Sequence, residues 1–303
     1  MKPVVGMIGL GIMGSAMAEA LLAQGYRVTG YDTRALACRK LKQAGGQALA
    51  SGTAVARSAD VVIVSLATTA ALDSTVEKIA AAKRPKNRPG LIVVETSTLP
   101  LADKARAMRA LKRAGIETLD CPISGTAVRM KEGAWTIFAS GDERAFRKVE
   151  PILKVFTAKV PYCGTYGNGT KMKYAANHLV AILNVATAES ITFGRKMGLR
   201  PQQLLDLFGP SPILGTGVYR LRGAMMAARK YVPPTMKVEV WQKDMQVIGD
   251  MAKSVDCPTP LFTACVPLYS AAMAQGLAQS DTASVCEVLG MIAGVDRPRP
   301  KRR

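Results

Sequence analysis

Pro3-Val4-Val5-Gly6-Met7-Ile8-Gly9-Leu10-Gly11-Ile12-Met13-Gly14 is the stretch that decides the fold. Residues Pro3–Ile8 are apolar and few, as a strand buried on both faces must be. A Gly-x-Gly-x-x-Gly turn follows at once. From Ile12 to Gln24 the periodicity is helical, and Gly25 closes it as a natural C-cap. Strand, glycine turn and helix in that order open a βαβ unit. The first glycine permits the tight turn, the second lets backbone amides approach a pyrophosphate, and the third lets helix and strand pack closely. Gly9, Leu10, Gly11, Ile12 and Met13 are therefore candidate dinucleotide contacts, helped by the free N–H groups and dipole of a helix start. Asp32, ending the next strand-like run, can accept hydrogen bonds from an adenosine ribose. Its charge repels a 2′-phosphate, which favours NAD; Arg34 can pair with such a phosphate, which keeps NADP open.

Outward from this motif the alternation continues. Arg27–Tyr31, Ala59–Leu66, Leu91–Glu95 and Glu117–Asp120 read as strands, and Trp135–Ala139 as another beyond a loop. Thr33–Ala44 and Leu101–Ala114 read as helices. Alternating strand and helix predicts a mostly parallel, doubly wound sheet. After Gly169 the texture changes. Lys171–Gly198, Pro201–Phe208, Lys237–Lys253, Pro260–Gln275 and Thr282–Ala293 all read as helical, and no strong strand appears. The expected fold is an α/β Rossmann-type dinucleotide-binding domain over residues 1–163, then an all-α substrate and dimerisation domain over 164–296, with a long interdomain helix. Residues 297–303 form a basic tail expected to be disordered.

Composition narrows the class. Half the chain is apolar, which suits packed cores rather than disorder. The apolar stretch from Pro3 to Ala23 resembles a signal peptide, but its three spaced glycines and Glu19 argue against one. No run is long enough to cross a membrane. The six cysteines form no Cys-x-x-Cys pair and His178 is the only histidine, so zinc spacing is absent and no metal is expected. Unclustered cysteines predict a reduced, cytoplasmic protein. The net charge is +19, and the tail from Arg297 carries five of the positive charges. The remaining basic residues are dispersed. That pattern suits attraction of small anions, whereas specific nucleic-acid binding calls for a continuous stripe and a recognisable motif.

Two further stretches carry chemistry. Gly167-Asn168-Gly169-Thr170-Lys171-Met172-Lys173-Tyr174-Ala175-Ala176-Asn177 sets an amine and an amide one helical turn apart, on one face. A partly desolvated lysine there can exchange a proton near neutral pH, and the amide can orient it. Asp120-Cys121-Pro122-Ile123-Ser124-Gly125-Thr126 follows a strand and offers a hydroxyl and backbone amides to a carboxylate.

With Trp241-Gln242-Lys243-Asp244 further on, these motifs occur in an order that resembles the β-hydroxyacid dehydrogenase family over residues 4–294. A late Gly276…Asp281 pair is also similar. The resemblance implies Lys173 as catalytic lysine, and Asn177 as the amide that holds substrate and lysine. It implies Ser124, Gly125 and Thr126 as the substrate-carboxylate turn, and Lys243 as a lysine reaching both nicotinamide and substrate. Thr98 and Leu66 match residues beside the cofactor. The implied reaction is hydride transfer between NAD(P) and a small 3-hydroxy acid, in a homodimer or homotetramer.

The chain departs from the family pattern where a second glycine is usual and Thr126 stands, where small residues are usual and Arg129, Met130 and Lys131 stand, and where Asp is usual and Glu95 stands. The loop charges point to a substrate larger or more anionic than 3-hydroxyisobutyrate. Two alternatives are imine reduction on the same scaffold and a catalytically idle basic homologue serving as a binding module. Retention of Lys173 opposes the first; joint retention of Lys173, Asn177 and Ser124 opposes the second.

Overall fold

The structure, a computed structural model, describes residues 2–85, 90–125, 130 and 133–295. Thr126, Arg129, Lys131 and the tail 297–303 lie outside the described residues. Contacts divide the chain into two compact units, Met1–Tyr174 and Ala175–Arg303.

The first unit alternates strand and helix: β1 Val4–Ile8, α1 Ile12–Ala23, β2 Arg27–Tyr31, α2 Ala35–Gln43, β3 Gln47–Ala48, α3 Gly52–Ser58, β4 Val61–Val64, α4 Thr69–Ala80, β5 Ile92–Glu95, α5 Leu101–Arg113 and β6 Glu117–Asp120. All six strands are parallel, in the order β3-β2-β1-β4-β5-β6. This is the doubly wound dinucleotide-binding order, with its switch point between β1 and β4. A short antiparallel pair follows, β7 Ile123–Ser124 with β8 Thr136–Ile137, and then α6 Glu143–Leu153.

Each central strand feeds two cores, because successive side chains point to opposite faces. Val5, Met7, Val61, Ile63, Ile92 and Val94 pack with residues of α1, α2 and α6. Val4, Ile8, Val62, Val64 and Val93 pack with residues of α3, α4 and α5. Burial on both faces is why these strands read as unbroken apolar runs rather than as alternations.

The switch point is held by backbone approaching backbone. Gly9 has φ +88°, and a Cβ there would lie 2.1 Å from the Ser65 carbonyl oxygen. A Cβ on Gly14 would lie 2.0 Å from the carbonyl oxygen of Gly9. The motif's first and third glycines are thus structural requirements.

The second unit is helical. It takes most of α7 Asn168–Met197, then α8 Pro201–Phe208, α9 Gly217–Ala228, α10 Val238–Ser254, α11 Pro260–Ala274 and α12 Val285–Ile292. Val238, Ala272 and Val288 form a small apolar centre. Asp281 ties the turn before α10 to the one before α12: its Oδ2 accepts hydrogen bonds from Thr235 N at 2.6 Å, Thr235 Oγ1 at 2.7 Å and Met236 N at 3.1 Å. Among the described residues no helix is long and apolar enough to cross a membrane.

Several elements are absent from the sequence reading: β3, β7, α3, α4, α6 and α9. The local signals of α4 and α9 are weak, whereas α6 carries a clear one that the sequence reading missed: Asp142 caps Ala145 N at 2.8 Å, and Ala145, Phe146, Val149, Ile152 and Leu153 are buried along one face. The segment of α9 carries Gly217 and Gly223, and its helix rests on burial of Tyr219, Arg222 and Met226. The segment of α4 is rich in threonine, and its start depends on Thr68, whose side chain caps Ala71 N at 3.2 Å. The contact boundary falls inside α7 rather than at its start, because the helix's first turns bond to the first unit. Tyr174, for example, donates from its hydroxyl to Leu99 O at 2.6 Å.

Gly9→Ala is expected to lower the thermal midpoint clearly more than Gly25→Ala does. Gly25 also has positive φ, but it borders open space, so alanine there costs only the backbone strain, about 1–2 kcal/mol. At Gly9 a backbone clash is added. Equal melting temperatures for the two variants would refute the close approach.

Candidate active site

At the switch point, Gly11 is the N-cap of α1. No side chain caps it, and the first turn of α1 holds no acidic residue. Its first-turn amides are therefore available to an anion. A Cβ on Gly11 would meet only Arg34 Nη2, at 3.8 Å, so the space above the turn is open. Ile12 is 77% exposed on that turn. Free amides, open space and no nearby acid on the helix fit a pyrophosphate.

Asp32, just past β2, braces this turn. Its Oδ2 accepts from Leu10 N at 2.7 Å and from Arg34 Nη2 at 3.1 Å; its Oδ1 accepts from Arg34 N at 2.8 Å and Arg34 Nε at 3.0 Å. Burial pushes the carboxyl up, but the hydrogen bonds from Arg34 and Leu10 outweigh it and hold the group below the usual value. Asp32 raises the Arg34 guanidinium in turn. Across the switch point, Leu66 N donates to Ser97 Oγ at 2.8 Å, which ties the segment after β4 to the Ser97–Thr98 turn after β5.

The substrate-turn candidates leave β6 together. Ser124 is half-buried and pairs with Thr136 across β7 and β8. Gly125 has φ +143°, and a Cβ there would lie 2.4 Å from the fully buried Trp135 ring. Thr126 falls beyond the described residues.

On α7 the buried residues Lys173, Asn177, Ala181, Asn184, Ala188 and Ile191 recur at helical spacing, so Lys173 and Asn177 occupy the inward stripe. Lys173 is 7% exposed, whereas Lys171 is open to solvent. Lysine is rarely found so deep in a protein. In the second unit Asn177 Nδ2 donates to Asp244 Oδ2 at 2.9 Å, and Lys243 Nζ pairs with Asp244 Oδ1 at 3.2 Å. One buried carboxylate, itself 4% exposed, thus joins two residues predicted for the site. Lys243–Asp244 is no mere surface pair.

Sequence reasoning missed Asp244, although it lies inside the Trp241–Asp244 motif. It also missed Lys104, which is fully buried on α5. The signal was there: Lys104, Ala107 and Leu111 share the helix's inward stripe, so a lysine holds a core position.

Fold and switch-point chemistry together define a dinucleotide-binding unit followed by a helical one. Residues 4–164 match the model described as the NAD binding domain of 6-phosphogluconate dehydrogenase. Residues 167–289 match that of the NAD-binding domain of NADP-dependent 3-hydroxyisobutyrate dehydrogenase. Glyoxylate/succinic semialdehyde reductase 2 of Arabidopsis thaliana is 29% identical over 94% of this chain and 79% of its own. Human mitochondrial 3-hydroxyisobutyrate dehydrogenase is 29% identical over 95% of this chain and 87% of its own. The crystal structure of 3-hydroxyisobutyrate dehydrogenase from Salmonella typhimurium superposes with a TM-score of 0.83 at 26% identity, over 95% of this chain and all of that one. An imine reductase from Pseudomonas sp. shares the fold more distantly, with a TM-score of 0.64 at 21% identity over 95% of this chain and all of its own. The chain belongs to the β-hydroxyacid dehydrogenase family. It is an NAD(P)-dependent dehydrogenase of the 3-hydroxyisobutyrate dehydrogenase-like kind.

Asp244→Ala removes the acceptor of a buried amide hydrogen on Asn177. It is expected to destabilise the protein by about 1–3 kcal/mol, read as a lower urea midpoint, while Asp244→Asn, which keeps an acceptor oxygen, loses less. Identical midpoints for both variants and the parent would show that the contact has no energetic weight.

Proposed function

We propose that the chain interconverts a small 3-hydroxy acid and the matching aldehyde or keto acid, with Lys173 as general acid–base. The observation that carries this reading is the burial of Lys173 on the inward stripe of α7, one turn from Asn177. In oxidation the neutral Lys173 amine accepts the hydroxyl proton; in reduction its ammonium donates a proton to the forming alkoxide. When bound, the nicotinamide supplies the hydride acceptor or donor. Ser124 and the amides of Gly125 and Thr126 hold the substrate carboxylate. Asn177 and Lys243, both held by Asp244, are the further residues we assign to the substrate.

Gly9, Leu10, Gly11, Ile12 and Met13 would hold the cofactor's phosphates, Asp32 or Arg34 its ribose end, and Leu66, Thr98 and Lys243 its other contacts. NAD is the favoured cofactor on the strength of Asp32. The Asp32–Arg34 pair gives NADP a route, because Arg34 occupies the carboxylate and offsets its charge; its side chain is 63% exposed and can turn outward cheaply. The family's imine reductases share the fold, but retention of a buried Lys173 favours hydroxyl chemistry. A cytoplasmic homodimer or homotetramer is the assembly we favour. Leu179, Phe193 and Met197 on α7 are 54%, 64% and 56% exposed, and an apolar row of this kind suits a subunit contact.

Lys173→Ala is expected to lower kcat by about 10²–10⁴-fold with cofactor Kd near the parent value. Near-parent turnover in the folded variant would defeat the lysine assignment.

The substrate is expected to be larger or more anionic than 3-hydroxyisobutyrate, because Arg129 and Lys131 stand where small residues are usual. The measurement is kcat/KM for 3-hydroxyisobutyrate, glycerate, threonate and a dicarboxylic analogue, with NAD and NADP, in the parent, Arg129→Gly and Arg34→Ala. Arg129→Gly should selectively weaken the most anionic substrate, and Arg34→Ala should penalise NADP more than NAD. Best activity on 3-hydroxyisobutyrate, unchanged by Arg129→Gly, would sink the loop assignment and leave the dehydrogenase reading standing.

A further inference from the structure

Behind the proposed catalytic helix lies a buried ionic cluster that the reaction as written does not use. Lys104 on α5 is fully buried. Its Nζ donates to Asp120 Oδ1 at 2.5 Å, Thr170 Oγ1 at 2.8 Å and Ser97 O at 3.0 Å, and pairs with Glu95 Oε2 at 2.6 Å. Asp120 in turn accepts from Thr170 N at 2.7 Å, Thr170 Oγ1 at 2.7 Å and Ser140 Oγ at 3.3 Å. Glu95 Oε1 accepts from Ser97 N at 2.8 Å. Burial disfavours the Lys104 ammonium, but the carboxylates of Asp120 and Glu95 outweigh it and raise the group's pKa.

The segments tied together are the ones the proposed site is built on. Glu95 and Ser97 flank the turn that carries Thr98, and Ser97 also holds Leu66. Asp120 begins the stretch leading to Ser124. Thr170 lies in the first turn of α7, three residues before Lys173; at that spacing helix side chains are neighbours, with Cβ atoms about 5–6 Å apart.

We propose that Lys104 is a positioning residue: with Glu95, Asp120 and Thr170 it forms a buried clamp that fixes the start of α7, and hence Lys173, against the ends of β5 and β6. The proposal rests on the reading of Lys173 as the proton-transferring group. Lys104 itself touches no reacting atom. Its effect is geometric, and misplacement of a catalytic group by about 1 Å can cost about 100-fold in rate.

Lys104→Met is the direct test, but it strands two buried carboxylates and can fail to fold. Thr170→Val is the milder cut. It removes the hydroxyl tether to α7, while Lys104 Nζ keeps its hydrogen bonds to Ser97 O and Asp120 Oδ1 and its ion pair with Glu95 Oε2, and Thr170 N still reaches Asp120. Thr170→Ser restores the tether. Three quantities are measured: kcat and KM on the best substrate of the panel, cofactor Kd, and amide hydrogen exchange of residues 168–174 in the cofactor-free protein. The expected result for Thr170→Val is a kcat lowered about 10-fold or more, cofactor Kd within about twofold of the parent and faster exchange at the start of α7, with Thr170→Ser near the parent on all three. A folded Lys104→Met should lose more kcat than Thr170→Val. Parent-like kcat and exchange in Thr170→Val would overturn the clamp, as would a Thr170→Ser variant no better than Thr170→Val. Lys173→Ala, assayed alongside, separates the two failures. If Lys173→Ala is inactive and Thr170→Val is normal, only the clamp falls. If Lys173→Ala keeps its turnover, the reading of Lys173 falls and takes the clamp with it.

Discussion

A parallel sheet ends all its strands on one edge, and the chemistry of the first unit depends on that constraint. Ile8, Tyr31, Val64, Glu95 and Asp120 each end a strand there, and each is followed within a few residues by a group that braces another segment. Leu10 N is held by Asp32, Leu66 N by Ser97, and Thr170 N by Asp120. The edge is therefore a hydrogen-bonded rim in which main-chain amides are held by short polar side chains. Such a rim can place several groups accurately because every support is a strand end packed between two apolar cores.

The rim contains an unusual concentration of buried charge. Lys104, Glu95 and Asp120 are almost wholly out of solvent, and taking two carboxylates and one ammonium out of water is unfavourable unless each finds close partners. Here they do, within 2.5–3.0 Å. An apolar core of the same volume would cost less desolvation. What ions add is direction: short charge-assisted contacts have narrow geometric tolerance, which apolar packing lacks. The second unit uses the same device on a smaller scale, with Asp244 joining Asn177 and Lys243, and Asp281 joining the turns before α10 and α12.

The dinucleotide turn works in the opposite manner. There the chain leaves groups unmet: α1 begins without a side-chain cap and without acid in its first turn. Gly9 and Gly14 are forced by contact with backbone, whereas Gly11 faces open space. The three glycines of one motif thus do different work. Two close the protein on itself, and one leaves room for what binds.

Much of this was legible in the chain itself. The glycine turn, the doubly wound sheet, the all-helical second half, and the placement of Lys173 and Asn177 one turn apart follow from local rules, since turns, caps and apolar periodicity are decided by neighbours in sequence. Elements with poor local signals, such as α4 and α9, exist because packing outweighs propensity, and propensity was all the sequence displayed. Partnership was likewise invisible. Asp32 stands out as a candidate in the sequence, but not the grip of Arg34 on it; Lys243 stands out as a candidate, but not that Asp244 pairs with it and also holds Asn177. Lys104 was passed over although it sits at a core position of its helix, because a lysine there makes sense only once Glu95 and Asp120 arrive from two different strands. The sequence determined which backbone conformations and faces were available. Tertiary structure decided which charges meet, because a buried ion is tolerable only where distant segments bring its counter-charges within contact.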